Sequence, residues 1–244
     1  MKNLPSILLL LCFLFLLWKF TNLRETYYQW QYDKSSGQTI VTSQQDIDKI
    51  LDQFESISFS DLPMEFIQHS KYNLSKYKKL VKNSSFLKIK GNKVFQFLVG
   101  DFRILHFLPR DNYYYDNLDA LGEGSTIYWM MDKKLLYKLL ELQNVLEEKG
   151  YNETGFEIVN GYRHPSYNEK VGGASLSRHL QGQALDLSIK DINNDGRITQ
   201  KDKQIVLDLL ENKIIKNQGG IGRYPGTMSI HFDVRGYKAR WDKQ

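Results

Sequence analysis

Residues 160–189 read NGYRHPSYNEKVGGASLSRHLQGQALDLSI and are the most informative part of the sequence. It carries His179 and Asp186 among glycines, an arginine and small polar residues. An ordinary core strand or helix repeats apolar residues at a regular spacing, and most of this stretch lacks such a repeat. The composition therefore indicates a chemical site carried by a loop and the strand that follows it.

Two predicted strands present polar faces. In ALDLSI (residues 184–189) and MSIHFDVR (residues 228–235), successive side chains point to opposite sides of the strand. The residues expected in the core are Leu185, Leu187, Ile189, Met228, Ile230, Phe232 and Val234. Asp186, His231 and Asp233 then lie on the opposite faces, where rigid strands hold them.

Three of these polar residues form a candidate metal-binding set. His179, Asp186 and His231 offer two nitrogens and one oxygen. Catalytic zinc uses three protein ligands and leaves its fourth position to water, which the metal activates. Spacing alone leaves a second interpretation open, in which His179 hydrogen-bonds within a loop and Asp186 caps a turn.

The same stretch, taken with GGIGRYPGTMSIHFDVRGYKARW (residues 219–241), resembles the zinc D-Ala-D-Ala carboxypeptidase and murein endopeptidase family, which has the hedgehog/DD-peptidase fold. The motifs GYR, N-x-x-x-G-G-A, S-x-H-x-x-G-x-A-x-D and H-x-D occur in order within residues 122–244. The resemblance implies that His179, Asp186 and His231 bind zinc. It also implies that Arg163 points into the cleft to hold or polarise a substrate carbonyl.

The general base is where the chain departs from that family. Many members carry an acidic base three residues before the second zinc histidine, and here this position is Met228. Asp233, two residues beyond His231, is either the base or a carboxylate that orients His231. We expect the orienting role and leave the base unassigned; His164 is a weaker candidate for contacting substrate.

A second metal signal lies in DINNDGRITQKD, residues 191–202. Oxygen ligands at alternate positions around a glycine are typical of a calcium loop. The candidate calcium ligands are Asp191, Asn193, Asp195, the carbonyl of Arg197, and Asp202. The alternative is an ordinary turn rich in aspartate and asparagine. A calcium ion here would have a structural role.

The first twenty residues have a targeting pattern. Leu4 to Phe20 are almost wholly apolar, which is typical of a signal peptide or a short membrane-spanning helix. No small-x-small cleavage site follows, so we expect an uncleaved anchor with the globular part outside the cytoplasm, in the cell envelope. Cys12 is the only cysteine, so no intramolecular disulfide is possible. The net charge of +5 is spread along the chain without a dense basic run, which argues against a nucleic-acid partner.

The chain is predicted to continue as two α+β regions. Residues 21–121 form a membrane-proximal region of unknown role, with a hairpin over residues 86–98 and a second strand over residues 101–108. His69 and His106 there are interpreted as a surface and a core histidine.

Residues 122–244 form the zinc peptidase domain, with an antiparallel sheet, flanking helices and the calcium loop as an insertion. Its first helix is predicted to start after Asp132 and to end near Lys149.

Two functions of different class follow from these patterns. The first is a zinc peptidase that cuts peptide stems or cross-links of bacterial peptidoglycan, as a D,D-carboxypeptidase or a murein endopeptidase. The second is a non-catalytic peptidoglycan-binding or calcium-stapled cell-surface module that kept the fold and lost the base. Met228 favours the module, whereas the three ligands and Arg163 favour the enzyme.

Overall fold

The computed structural model describes residues 23–37, 39–111, 113–114 and 126–242. The predicted anchor over residues 1–20 lies outside the described residues. Within them, no helix combines the length and the apolar character needed to cross a bilayer. The chain divides into two compact units, one up to Thr39 and one from Ile40 onward.

The described chain is an α+β protein. The helices are α1 (Leu23–Ser36), α2 (Gln44–Leu51), α3 (Met64–His69), α4 (Ser75–Val81), α5 (Lys133–Glu148), α6 (Pro165–Lys170) and α7 (Gln200–Leu209). The strands are β1 (Glu55–Ser58), β2 (Ser85–Lys90), β3 (Phe97–Val99), β4 (Phe102–Arg103), β5 (Thr126–Trp129), β6 (Phe156–Asn160), β7 (Ala184–Ile189), β8 (Gly220–Gly222), β9 (Ser229–Asp233) and β10 (Ala239–Trp241). Short 3-10 helices cover Phe59–Asp61, Gly91–Phe95, Ile104–Phe107 and Arg178–Gln181, and a π-helical turn covers Leu210–Ile214.

A five-stranded sheet in the order β10-β8-β9-β7-β6 carries the residues of interest. Its pairs are antiparallel, as predicted, except β10–β8, which is parallel. The register of β7 against β9 places Asp186 directly opposite His231. The sheet itself therefore brings these two side chains together.

The alternation predicted for the two central strands is confirmed. Leu185 and Leu187 on β7 and Ile230 and Phe232 on β9 are fully buried, whereas Asp186 lies on the other face. Met228 and Val234 are only half-buried, because both lie just outside the ends of β9.

Helix α5 packs one apolar face into the core, as the sequence predicts. The Asp132 carboxylate accepts a hydrogen bond from the Lys134 amide and caps the first turn. The buried residues of the helix are Leu135, Leu136, Leu139, Leu140, Leu142, Gln143, Val145 and Leu146. They follow helical spacing, and their burial accounts for the stability of the helix.

Residues 40–111 belong to the same compact unit as the large sheet. Strand β2 pairs with β5, in a smaller sheet of order β1-β2-β5. The Tyr162 amide donates to the carbonyl of Phe107, and the hydroxyls of Tyr72 and Tyr162 lie 2.8 Å apart in the core. Two earlier parts of the chain, at Tyr72 and at Phe107, therefore hold the segment that carries GYR.

The predicted hairpin over residues 86–98 and the strand over residues 101–108 are wrong. β2 pairs with β1 and β5, and the chain then turns through the 3-10 helix Gly91–Phe95. Val94 and Phe95 are both buried, and adjacent residues of a half-buried strand cannot share one face. Only Phe102–Arg103 remain extended in the second segment.

Gly182 offers a test of the turn that leads into β7. It has a left-handed backbone (φ 63°), and an added Cβ would lie 2.2 Å from the carbonyl oxygen of Met130. Gly226 is also left-handed (φ 78°) but has open space around it. We expect Gly226→Ala to cost about 1–2 kcal/mol of unfolding free energy from backbone strain alone. Gly182→Ala should cost clearly more in denaturant unfolding, and equal costs would contradict the close approach.

Candidate metal centre

Three potential ligand atoms converge on one point beside the central strands β7 and β9 of the large sheet. His179 Nε2 lies 3.2 Å from Asp186 Oδ1 and 3.2 Å from His231 Nδ1. His231 Nδ1 lies 2.8 Å from the same Asp186 oxygen. Both imidazoles are buried, and the three residues form a group that could hold a metal ion. The structure thus brings together the three residues that the sequence singles out.

Each residue of this group comes from a rigid element. Asp186 lies within β7 and His231 lies opposite it on β9. His179 lies on the 3-10 helix Arg178–Gln181, where Ser177 Oγ accepts from the His179 amide. Because the sheet and the capped turn fix all three backbones, the ligand atoms need little rearrangement to bind an ion.

Hydrogen bonds to the outer nitrogens decide which imidazole atoms carry lone pairs. His179 Nδ1 lies 2.6 Å from the carbonyl oxygen of Gly161, so it must donate there. His231 Nε2 lies 3.3 Å from Asp233 Oδ2 and donates to it. In the neutral rings, the lone pairs of His179 Nε2 and His231 Nδ1 then face each other and the Asp186 carboxylate. Three acceptors that face one another repel, so the arrangement fits a cation at their centre.

The electrostatic environment of the three converging residues favours a bound cation. Burial lowers the pKa of His179, which favours the neutral ring that a metal needs. Against the effect of burial, Asp186 and Asp233 raise the pKa of His231. His179 and His231 likewise hold the pKa of Asp186 well below its usual value, although burial alone would raise it. The same negative environment that favours a proton on His231 favours a metal ion in its place.

The second oxygen of Asp186 is held from the other side. Oδ2 accepts from a guanidinium Nη2 of Arg163 and, at 3.3 Å, from Asn160 Nδ2. These two donors leave Oδ1 directed at the imidazoles. Arg163 also lines the cleft described below, and its buried Nε–H has no hydrogen-bond partner in the described part of the chain. One guanidinium therefore orients a ligand and keeps a donor without a partner.

Asp233 lies behind His231. Its carboxylate is fully buried and accepts from the Gly220 amide at 3.0 Å, from Arg235 Nε at 2.8 Å and from Arg235 Nη2 at 2.5 Å. Burial opposes ionisation, yet His231 and Arg235 hold the pKa of Asp233 far below its usual value. These contacts correspond to a carboxylate that orients His231. They leave no oxygen free to take a proton from water at the convergence point.

A cleft of about 590 Å³ opens over the convergence point. The lining includes the three converging residues, Arg163, Tyr224, Trp241, and residues 171–174 and 176–178. Asn168 explains the N-x-x-x-G-G-A motif, because its buried side chain donates to the carbonyl of Ala174 at 3.0 Å and braces that segment. Of the described residues that line the cleft, only Asp186 is acidic. The sulfur of Met228 contacts Gln200 at 3.5 Å instead of lining the cleft.

In a second histidine–aspartate group, a histidine nitrogen that faces the carboxylate carries a proton instead of a lone pair. His69, Asp111 and His164 also lie close enough to share an ion. His164 Nδ1, however, accepts from the Tyr167 amide at 3.2 Å, so its Nε2 carries the proton and donates to Asp111 Oδ2 at 2.5 Å. A nitrogen that donates a proton cannot bind a metal. This group is a hydrogen-bond network, and His164 does not line the cleft.

The candidate side-chain ligands of the predicted calcium loop accept hydrogen bonds from backbone amides of the same loop. Asp191 accepts from the amides of Asp195 and Gly196, and Asp195 accepts from the Arg197 amide. Asn193 accepts from the Asp195 amide. Asp202 is buried, and it accepts from the amides of Ile192, Asn193 and Thr199. These bonds make Asp202 part of a capping box at the start of α7.

The fold and the convergent set together fit a metal-dependent hydrolase, in which three candidate ligands face an open cleft. A family model described as Peptidase M15 matches residues 130–233, and this part of the chain belongs to that family of zinc peptidases. The match includes GYR, the two glycine-rich motifs and both histidines of the centre. Neither a search of curated proteins nor a search of solved structures found a match. The chain therefore carries a zinc metallopeptidase domain.

Proposed function

We propose that the protein hydrolyses peptide bonds in the stems or cross-links of bacterial peptidoglycan, as a D,D-carboxypeptidase or a murein endopeptidase. The observation that carries the proposal is the convergence of His179 Nε2, His231 Nδ1 and Asp186 Oδ1 below an open cleft. The family supplies the reaction class, peptide hydrolysis with zinc.

The chain's own residues account for binding and orientation. His179, Asp186 and His231 would hold the zinc ion, which when bound polarises a carbonyl and lowers the pKa of water. The Arg163 guanidinium lines the cleft and would lie beside a substrate carbonyl oxygen, where negative charge develops during hydrolysis. Asp233 would keep His231 in the ring orientation that directs Nδ1 at the centre.

The alternative is a non-catalytic peptidoglycan-binding module, and Met228 at the usual base position favours it. The two functions separate in a digest of purified peptidoglycan analysed by mass spectrometry. The peptidase releases new muropeptides or free alanine, whereas the module retains the polymer unchanged. Asp186→Asn serves as the control, because its product pattern must match that of a sample without protein. The masses also identify the bond that is cut.

We also propose that residues 1–20 anchor the protein in the membrane, with the peptidase domain in the cell envelope. The apolar run in the sequence supports this placement. Externally added protease should degrade the domain in cells whose outer layers are permeabilised and whose cytoplasmic membrane is intact. Protection of the domain under those conditions would contradict the placement.

Calcium binding to residues 191–202 stays a prediction. The oxygens of Asp191 and Asp195 are at the surface, whereas Asp202 would have to give up its capping contacts. If the loop binds calcium, the ion should raise the melting temperature by binding only the folded state, and Asp195→Ala should remove that gain. Identical melting with calcium and with EGTA, at saturating zinc, would contradict the loop.

A further inference from the structure

The cleft contains one arginine whose charge is not neutralised. Arg178 donates to Gln181 Oε1 at 3.1 Å, to Gln183 Oε1 at 3.5 Å and to the Tyr237 hydroxyl at 3.2 Å. All three acceptors are neutral, and no carboxylate of the described residues lies within ion-pair distance of Arg178. The two other arginines in the cleft, Arg163 and Arg235, each pair with an aspartate.

Tyr237 adds a second donor beside this arginine. Its side chain is 55% exposed and lines the cleft. Because its oxygen accepts from Arg178, the phenol proton is free to be donated elsewhere. Its ring lies 6.0 Å from the Arg178 guanidinium carbon and 5.7 Å from that of Arg235. The hydrogen bond from Arg178 lowers the pKa of Tyr237, which strengthens the phenol as a donor.

The net charge of the cleft favours an anion. Three guanidinium groups line it. Asp186 and Asp233 offset the charges of Arg163 and Arg235, so Arg178 leaves one positive charge that is not offset, and a zinc ion would add two more. Cationic groups in a concave site attract anionic ligands and raise their local concentration. On the rim, Leu176 is 73% exposed and offers an apolar contact.

We propose that Arg178 and Tyr237 form a carboxylate-binding subsite of the cleft, so that the preferred substrates are peptides with a free carboxylate close to the cleaved bond. The inference rests on the proposed peptidase function. A guanidinium and a phenol side by side match the two oxygens of a carboxylate, and such charge-assisted hydrogen bonds are about twice as strong as neutral ones. The carboxylate belongs either to the C-terminus of the peptide or to an acidic side chain.

The test compares three short peptides that end in D-Ala-D-Ala and differ only in charge. One has a free C-terminus, one has a C-terminal carboxamide, and one has a carboxamide together with an acidic side chain. Binding to the purified full chain is followed by tryptophan fluorescence, because Trp241 lines the cleft. Mass spectrometry of the same samples reports cleavage, and KM replaces the dissociation constant for any peptide that is cleaved.

Arg178→Gln should weaken binding of a carboxylate-bearing peptide by about 10- to 100-fold, the range for a lost hydrogen bond to a charged group. Binding of the uncharged carboxamide should stay unchanged. Tyr237→Phe should act in the same direction with a smaller effect. Lys149→Gln is the control, because it removes one positive charge from an exposed side chain outside the cleft.

The outcomes separate this subsite from the proposed function. Weaker binding of the peptide with the free C-terminus to Arg178→Gln supports the subsite, and so does weaker binding of only the peptide with the acidic side chain. The affected peptide identifies the source of the carboxylate. Equal binding of all three peptides to the wild-type protein overturns the subsite, as do equal losses in Arg178→Gln and Lys149→Gln. Carboxylate-selective binding without cleavage of any peptide supports the subsite and contradicts the peptidase.

Discussion

His179→Ala protein should purify with almost no zinc and should release nothing from peptidoglycan. Its imidazole supplies one of three converging atoms, and a site with three protein ligands cannot lose one and still hold the metal firmly. Elemental analysis should find about one zinc per wild-type chain, the number of ions expected for a single three-ligand site. Asp186→Ala should give the same result, because its Oδ1 contacts both imidazoles.

His69→Ala is the matched control for this loss. His69 also belongs to a histidine–aspartate group, but that group is a hydrogen-bond network in which His164 donates to Asp111. The variant should therefore keep its zinc and its activity. Unchanged zinc in both His179→Ala and Asp186→Ala would exclude the centre described above, and zinc loss in His69→Ala would place the metal elsewhere.

Asp233→Asn should weaken zinc binding by about 10- to 100-fold, with activity restored by excess metal. The physical reason is the position of Asp233 behind His231, where it accepts from the outer nitrogen of that ring. An asparagine accepts more weakly and turns an amide group toward Arg235, which now donates twice to the carboxylate. Zinc titrations followed by turnover at limiting and saturating metal measure the effect.

The same variant distinguishes the other role considered for Asp233. If Asp233 were the general base, zinc affinity would stay at the wild-type value while turnover fell by about 10²-fold or more at every metal concentration. Asp208→Asn on α7 is the control, since its side chain is exposed and contacts Gln204. Wild-type affinity together with wild-type turnover would contradict both roles.

Local patterns predicted the elements around the centre, because their side chains repeat with the period of the structure. β7 and β9 alternate between core and cleft, and α5 has a capping aspartate and a continuous apolar face. The prediction for the stretch after β2 was wrong for the opposite reason. Val94 and Phe95 are buried in a 3-10 turn, whose period resembles neither that of a strand nor that of an α-helix.

The residues and contacts of the metal centre could be only partly predicted from the sequence. The three converging residues carry motif and spacing signals, whereas the Gly161 carbonyl that holds His179 is a backbone group without any side-chain signal. Asp111 lies 53 positions from His164, and no local pattern joins them. The pairing of Arg178 with Tyr237 likewise joins residues 59 positions apart and depends on the packed cleft.

The position of the zinc ion can be measured directly in an anomalous difference map, recorded at the zinc absorption edge from crystals of the zinc-loaded protein. We expect one strong peak within bonding distance of His179 Nε2, His231 Nδ1 and Asp186 Oδ1, beneath the cleft that Arg163 lines. A peak between His69, Asp111 and His164 instead, or a cleft without any zinc peak, would contradict this expectation.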